Sequence, residues 1–249
     1  MGKAARDQSA RDRIKAQREA ERKQEQRKRM VTITTVAVVA LAAVGAGWWY
    51  SAQRGKSEEA TTALAPITVQ GDGSVVMAKA GVEKPVLDIY EDFQCPFCKQ
   101  LDESNGPTIK NMAAAGQVKV VYHPITIFPE SVTRSNSVRA GAAARCVPDG
   151  KQWMAYHDKL FEEQPSETVE GFKTGELVEW GKEAGVTAPN FEQCVTSQQH
   201  AKAHTDYAAA QIESAKIEGT PTLKLNGTVL GDEGFSPSGL RQAILDAAK

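Results

Sequence analysis

The chain has 249 residues, of which 41% are hydrophobic and 24% charged. That is long enough for one domain with a full core plus appendages, and the composition is that of a globular protein rather than a disordered tract. The formal net charge of −1 excludes a uniformly basic nucleic-acid binder but hides an asymmetry: residues 1–29 carry eleven Lys or Arg against five Asp or Glu, a charge of +6 that leaves −7 on the remainder.

The basic leader runs into MVTITTVAVVALAAVGAGWWYSAQ, residues 30–53, which contain no charged side chain. About 20 apolar residues are needed for a helix to cross the hydrocarbon core, and Trp48, Trp49 and Tyr50 suit an interfacial belt, so this run reads as one transmembrane helix. A cleaved secretory signal is the alternative, with the small residues at 43–47 as its cleavage site. The long charged leader, the full span length and the bulky Trp48 and Trp49 favour an uncleaved anchor. Either reading keeps residues 1–29 in the cytoplasm and sends the rest across the membrane, which explains the basic leader without nucleic acid. Residues 54–73 mix small, polar and acidic side chains without a period and read as a tether, with the fold starting near Ser74.

From there, SVVMAKA and KPVLDIYEDF read as strands. A helix follows with an apolar face at Phe97, Leu101, Ile109 and Met112; Asn105-Gly106-Pro107 should kink or interrupt it, and Gly116 should stop it. VKVVYHPITI is the next strand, and strand, helix, strand implies parallel pairing. Residues 131–217 are alanine-rich and helix-periodic, with helices expected at 135–146, 152–163, 175–184, 190–196 and 199–217. In this insert Trp153, Tyr156, Leu160 and Phe161 form a stripe read as core. Asn226-Gly227 then joins two short strands as a two-residue hairpin, and a last helix is capped near Ser236. The turn explains the sequon Asn226-Gly227-Thr228 without a sugar.

All four cysteines, Cys95, Cys98, Cys146 and Cys194, follow the apolar run, in the compartment where disulfides persist, and an even number suggests two pairs. Cys95 and Cys98 flank Pro96-Phe97 at a strand-to-helix junction. Unpaired N–H groups and the positive end of the helix dipole favour a thiolate there, so Cys95 is the candidate nucleophile and Cys98, one turn on, the resolving partner. Two alternatives stand beside a redox pair. Zinc would need four ligands, and His123, His157, His200 and His204 show no finger spacing. A purely structural bridge would close too short a loop to contribute much. Cys146 and Cys194 lie 48 residues apart in separate helices; bonded, they would contribute about 3–4 kcal/mol by loop closure, with two free buried thiols as the alternative. Glu91 and Asp92 precede the motif as candidate proton acceptors, although at least one is expected to face water. His200 and His204 share a helix face expected to be solvated, and His123 is read as structural. No phosphate loop, serine elbow or dinucleotide pattern appears, and no cofactor or metal is expected.

Cys-Pro-x-Cys after an apolar strand, a helical insert, then Gly219-Thr220-Pro221-Thr222 leading into a hairpin and a last helix resemble the DsbA-like thiol:disulfide oxidoreductases over residues 74–249. The resemblance implies an α/β thioredoxin fold with an inserted all-helical domain, here preceded by one transmembrane helix. It also implies that Pro221, after Thr220, is a cis-proline lying against the Cys95–Cys98 pair. The implied activity is disulfide formation or isomerisation in exported bacterial proteins, with reoxidation by a quinone-linked membrane partner of the DsbB or vitamin K epoxide reductase type. Because Pro-Phe replaces the familiar Pro-His between the cysteines, the implied potential is intermediate but still oxidising. A membrane-anchored reductase and a non-catalytic binding or chaperone-like module are the rival readings.

Overall fold

The computed structural model describes residues 64–129 and 132–249. The leader, the apolar run at 30–53 and the first part of the tether lie outside these residues. Among the described residues no helix is long and apolar enough to cross a membrane.

Six strands form one mixed sheet in the order β1-β2-β4-β3-β5-β6: β1 Ile67–Val69, β2 Val75–Met77, β3 Val86–Glu91, β4 Lys119–Pro124, β5 Thr222–Leu225 and β6 Thr228–Val229. The β3–β4 pair is parallel and the other pairs are antiparallel. The sheet begins earlier than the sequence pattern suggests. Ile67 and Val69 of β1 lie opposite Met77 and Val75, inside the segment read as a tether, because three residues are too few to show a period while the cross-strand partners hold them in place. At the other end the hairpin turns at Asn226 and Gly227, both with positive φ (50° and 83°), the geometry a two-residue turn requires.

Central strand β3 buries Leu87 and Ile89 completely and delivers the chain to α1, Pro96–Ala115. Pro96 starts this helix, where no N–H is lost. Gly116, at φ 77°, ends it in the left-handed region, with the Gln117 N–H returning to the Met112 carbonyl at 3.0 Å. Pro107 does not break α1, which continues through it. Asn105 beside it is fully buried, and its Nδ2 donates to the Gly234 carbonyl at 3.0 Å, so contacts outside the helix hold this segment in register. Leu101, Ile109 and Met112 face the core, but Phe97 does not: it is 69% exposed.

Between β4 and β5 lie five helices, α2 Val132–Ala144, α3 Gly150–Glu162, α4 Thr174–Glu183, α5 Phe191–Thr196 and α6 Ala201–Ala215. Asp149 caps α3 by accepting from the Gln152 N–H at 2.9 Å. The same helix sinks Trp153, Tyr156, Leu160 and Phe161 into the core, each worth about 1.5–3 kcal/mol of apolar burial. The chain ends in a 3₁₀ turn, Asp232–Phe235, and α7, Pro237–Ala247, with Ser236 Oγ accepting from the Gly239 N–H at 3.2 Å.

Candidate active site

The loop from β3 into α1 places two thiols in contrasting surroundings. Cys95 is the N-cap of α1. Its N–H donates to the Asp92 carbonyl at 2.9 Å, and its carbonyl accepts from Gln164 Nε2 at 3.0 Å. Gln164 Nε2 also donates to the Phe93 carbonyl at 2.7 Å, so the segment just after α3 grips the loop from outside the sheet. On the opposite side the Cys95 thiol donates to the Thr220 carbonyl at 3.2 Å, and the Thr220–Pro221 peptide is cis. The structure thus brings Cys95, Cys98, Thr220 and Pro221 together, with Cys95 and Cys98 as free thiols.

Hydrogen bonding to Cys98 lowers the Cys95 pKa to about 6; burial opposes this, but the Thr220 side chain and the N–H groups of Cys98 and Phe97 help the thiolate. Burial pushes the Cys98 thiol well up, and its bond to Cys95 adds to the rise. One sulfur is therefore a thiolate at neutral pH and the other keeps its proton. Asp92, whose N–H donates to Cys98 Sγ at 3.5 Å, is pushed up to about 7 by burial, against hydrogen bonds from the Gln94 and Ile127 N–H groups. It can hold or release a proton near neutrality.

Glu91 and Asp92 are both buried, at 4% and 0% exposure, so neither faces water: the insert covers the strand end, and His157 Nε2 on α3 meets Glu91 Oε1 at 2.9 Å. Beside the thiols opens a groove of about 510 Å³ lined by Phe97, Gln100, Leu101, Ser104, Thr220, Pro221 and Phe235. An extended chain reaching Cys95 along this groove would meet exposed aromatic surface.

The thioredoxin family model matches residues 81–246. The chain belongs to the thioredoxin family. Among solved structures, DsbA of Mycobacterium tuberculosis in its oxidised form is 28% identical with a TM-score of 0.59, covering 74% of this chain and 92% of that one. The reduced form of the disulfide bond oxidoreductase DsbG, from the same organism, is 28% identical with a TM-score of 0.60, over 73% of this chain and 86% of that one. A Rickettsia bellii protein named as a protein-disulfide oxidoreductase is 24% identical over 164 residues. The chain spans about 60% of the length of that curated relative.

Away from the thioredoxin-family dithiol, Cys146 and Cys194 form a disulfide that joins the segment after α2 to α5. His123 is engaged by the Tyr207 hydroxyl at 2.6 Å and by Asp88 Oδ1 at 3.1 Å, a structural tie between β4 and α6. His204 departs from the expected solvated face. It is 1% exposed, its Nε2 lies 2.9 Å from Thr126 Oγ1, and burial lowers its pKa to about 3, with Arg145 and Arg134 contributing. Its place exists because Gly141 has no side chain; a Cβ there would sit 2.2 Å from the ring. Among the described residues, two sets offer three ligand atoms for a metal, Cys146 with Cys194 and His200, and Asp102 with His157 and Asp158. In the first the sulfurs are bonded to each other; in the second Lys110 Nζ already lies 2.6 Å from Asp158 Oδ2.

The contrast between the thiols has a direct readout. In the reduced protein, iodoacetamide should alkylate Cys95 with a half-maximal rate near pH 6, as its lowered pKa requires, and leave Cys98 unmodified until far higher pH. A Cys95 midpoint near that of an ordinary thiol, about 8.5, would refute the thiolate assignment.

Proposed function

We propose that this chain is a membrane-anchored thiol:disulfide oxidoreductase that forms disulfides in exported proteins. The observation that carries the proposal is the asymmetry of the pair: Cys95 as the helix N-cap, bonded to Thr220 at the groove wall and favoured as a thiolate, against Cys98, whose deeper burial keeps its proton. The DsbA and DsbG neighbours support the reading, as does the name of the Rickettsia bellii relative. The apolar run at 30–53 and the basic leader support the anchor and an extracytoplasmic catalytic domain.

In the oxidised enzyme a substrate thiolate attacks Cys95 Sγ, the Cys95–Cys98 bond breaks, and Cys98 leaves with the bonding pair. It then takes up a proton, for which Asp92, at about 7, is the adjacent source. The second substrate thiolate attacks the substrate sulfur of the mixed disulfide, releasing Cys95 as a stabilised thiolate. Two electrons pass from two substrate thiols to the enzyme pair. Thr220 and Pro221 wall the groove beside Cys95, and the Thr220 carbonyl lies 3.2 Å from Cys95 Sγ. A quinone-linked membrane oxidase of the DsbB or vitamin K epoxide reductase type then accepts the electrons, held in the same plane by the anchor.

A pKa of about 6 against about 8.5 for a free thiol favours the reduced form at pH 7 by about tenfold, equivalent to about 30 mV. DsbA has a pKa of about 3.5 and thioredoxin about 7, which puts this couple between them. Equilibrating the protein with glutathione buffers, and trapping thiols at each ratio, tests the reading. The expected potential is above thioredoxin's, about −270 mV, with transfer of the disulfide to a reduced, unfolded substrate. A potential at or below that value makes the protein a reductase. A pair that does not exchange at all makes it a binding module.

A further inference from the structure

Directly under the dithiol lies a charged group of residues that the disulfide chemistry above does not use. His157, on α3 of the insert, is 1% exposed. Its Nε2 lies 2.9 Å from Glu91 Oε1 and its Nδ1 lies 3.0 Å from Asp158 Oδ1. A neutral imidazole has one N–H, and a carboxylate accepts but does not donate. With a carboxylate oxygen on each nitrogen, only the imidazolium can bond to both. The ring is boxed by Phe93, Tyr122, Trp153 and Phe161, with centroids between 5.0 and 5.9 Å from its own or one another's, so water does not screen it and the aromatic faces suit a cation.

We propose that His157, as a cation bonded to Glu91, is a positioning residue of the Cys95–Cys98 pair, offsetting the carboxylates buried beneath Cys98 and so keeping the couple oxidising. This inference rests on the reading that the pair is redox-active. Glu91 immediately precedes Asp92, whose N–H donates to Cys98 Sγ at 3.5 Å, and the Glu91 charge acts against ionisation of Cys98. The groups facing His157 are Glu91, Asp158 and Asp102, with the Tyr122 hydroxyl and with Lys110 bonded to Asp158 at 2.6 Å. Among the bonded groups, Glu91 pairs with His157 and Asp158 with Lys110, one cation to each carboxylate. They balance. Removing the imidazolium leaves one uncompensated negative charge in a dry site under the thiols, which penalises the thiolate of the reduced form.

The two ends of the bond come from different parts of the fold, Glu91 from β3 and His157 from the insert. The insert therefore acts on the redox centre by supplying a charge as well as by covering it.

Glutathione equilibrium reads the effect. Oxidised glutathione and the dithiol give the protein disulfide and two glutathione thiols, and the ratio [GSH]²/[GSSG] at half-reduction measures how oxidising the couple is. In the full chain, H157Q should raise that ratio at least tenfold, a shift of about 30 mV toward a weaker oxidant. E91Q should lower it at least threefold. The double variant E91Q/H157Q, which removes both charges, should return to within threefold of the starting protein, since removing both partners of a buried pair leaves no orphan charge. If H157Q does not fold, E91Q and the double variant still decide. The proposal is overturned if E91Q raises the ratio or leaves it unchanged, or if the double variant is displaced as far as H157Q, which is what loss of a mere structural tie would do. If the unsubstituted protein fails to exchange with glutathione, the redox reading itself fails, an outcome separate from these.

Discussion

Replacing Cys95 with serine should abolish disulfide transfer, with turnover of a reduced substrate falling to the uncatalysed rate, while the fold survives because serine has nearly the shape of the buried Cys95 side chain and keeps its backbone bonds to Asp92 and Gln164. Replacing Cys98 has a different result. A C98S protein oxidised at Cys95 by a small disulfide still presents a sulfur to the incoming substrate thiolate, but there is no internal thiol to reverse the step. Mixed disulfides between Cys95 and its substrates should therefore accumulate and appear as adducts on non-reducing gels, lost again in C95S/C98S. The order of the two roles follows from the thiols' surroundings, since burial holds Cys98 in its protonated form, while Cys95 is the thiolate that attacks a disulfide and, once oxidised, the disulfide sulfur beside the groove that a substrate thiolate attacks. Adducts that form through Cys98 in C95S, and not through Cys95 in C98S, would reverse the assignment.

The parts of the site that the sequence makes legible are those whose cause is local. Cys95-Pro96-Phe97-Cys98 reads from its position between an apolar strand and a helix, and Asn226-Gly227 reads from the φ values that its turn demands. The missing parts are contacts made at long range. Glu91 and His157 are 66 residues apart, and Gln164 and Cys95 are 69 apart, so nothing near the motif shows that its strand end is covered. His157 did carry a signal: it sits within the stripe Trp153, Tyr156, Leu160 and Phe161, a polar group on an otherwise apolar helix face, which requires a buried partner. Phe97 fails in the opposite sense. Its spacing fits the core face of α1, but it lies in the first turn, where that face meets the groove and Phe235 instead of the sheet. His204 looks solvated because the Gly141 vacancy that admits it is 63 positions away, invisible to any helical period.

Replacing both Cys146 and Cys194 with serine should cost about 4 kcal/mol of unfolding free energy, because the bridge closes a loop of 48 residues whose freedom in the unfolded chain would otherwise be large. The double variant avoids the lone thiol that a single substitution would leave free to exchange with the redox-active pair. Urea titration of the oxidised proteins measures the difference, and a loss under about 1 kcal/mol would show that the unfolded chain keeps the insert together without the bond. The loss should not be uniform across the molecule. The bridge ties the segment after α2 to α5, a helix of six residues too short to stand without tertiary support. Hydrogen exchange should therefore rise first in α5 and its flanks. It should rise much less in α3, where Trp153, Tyr156, Leu160 and Phe161 are anchored in the core and His157 is bonded to the sheet. Since α3 supplies that cation and the neighbouring Gln164 supplies the grip on the Cys95 carbonyl, the redox pair should keep its glutathione equilibrium in the variant up to the urea concentration at which α3 itself opens. A shift of that equilibrium in the absence of urea would mean that the bridge constrains α3 as well as α5, and that the active site depends on the whole insert rather than on one of its helices.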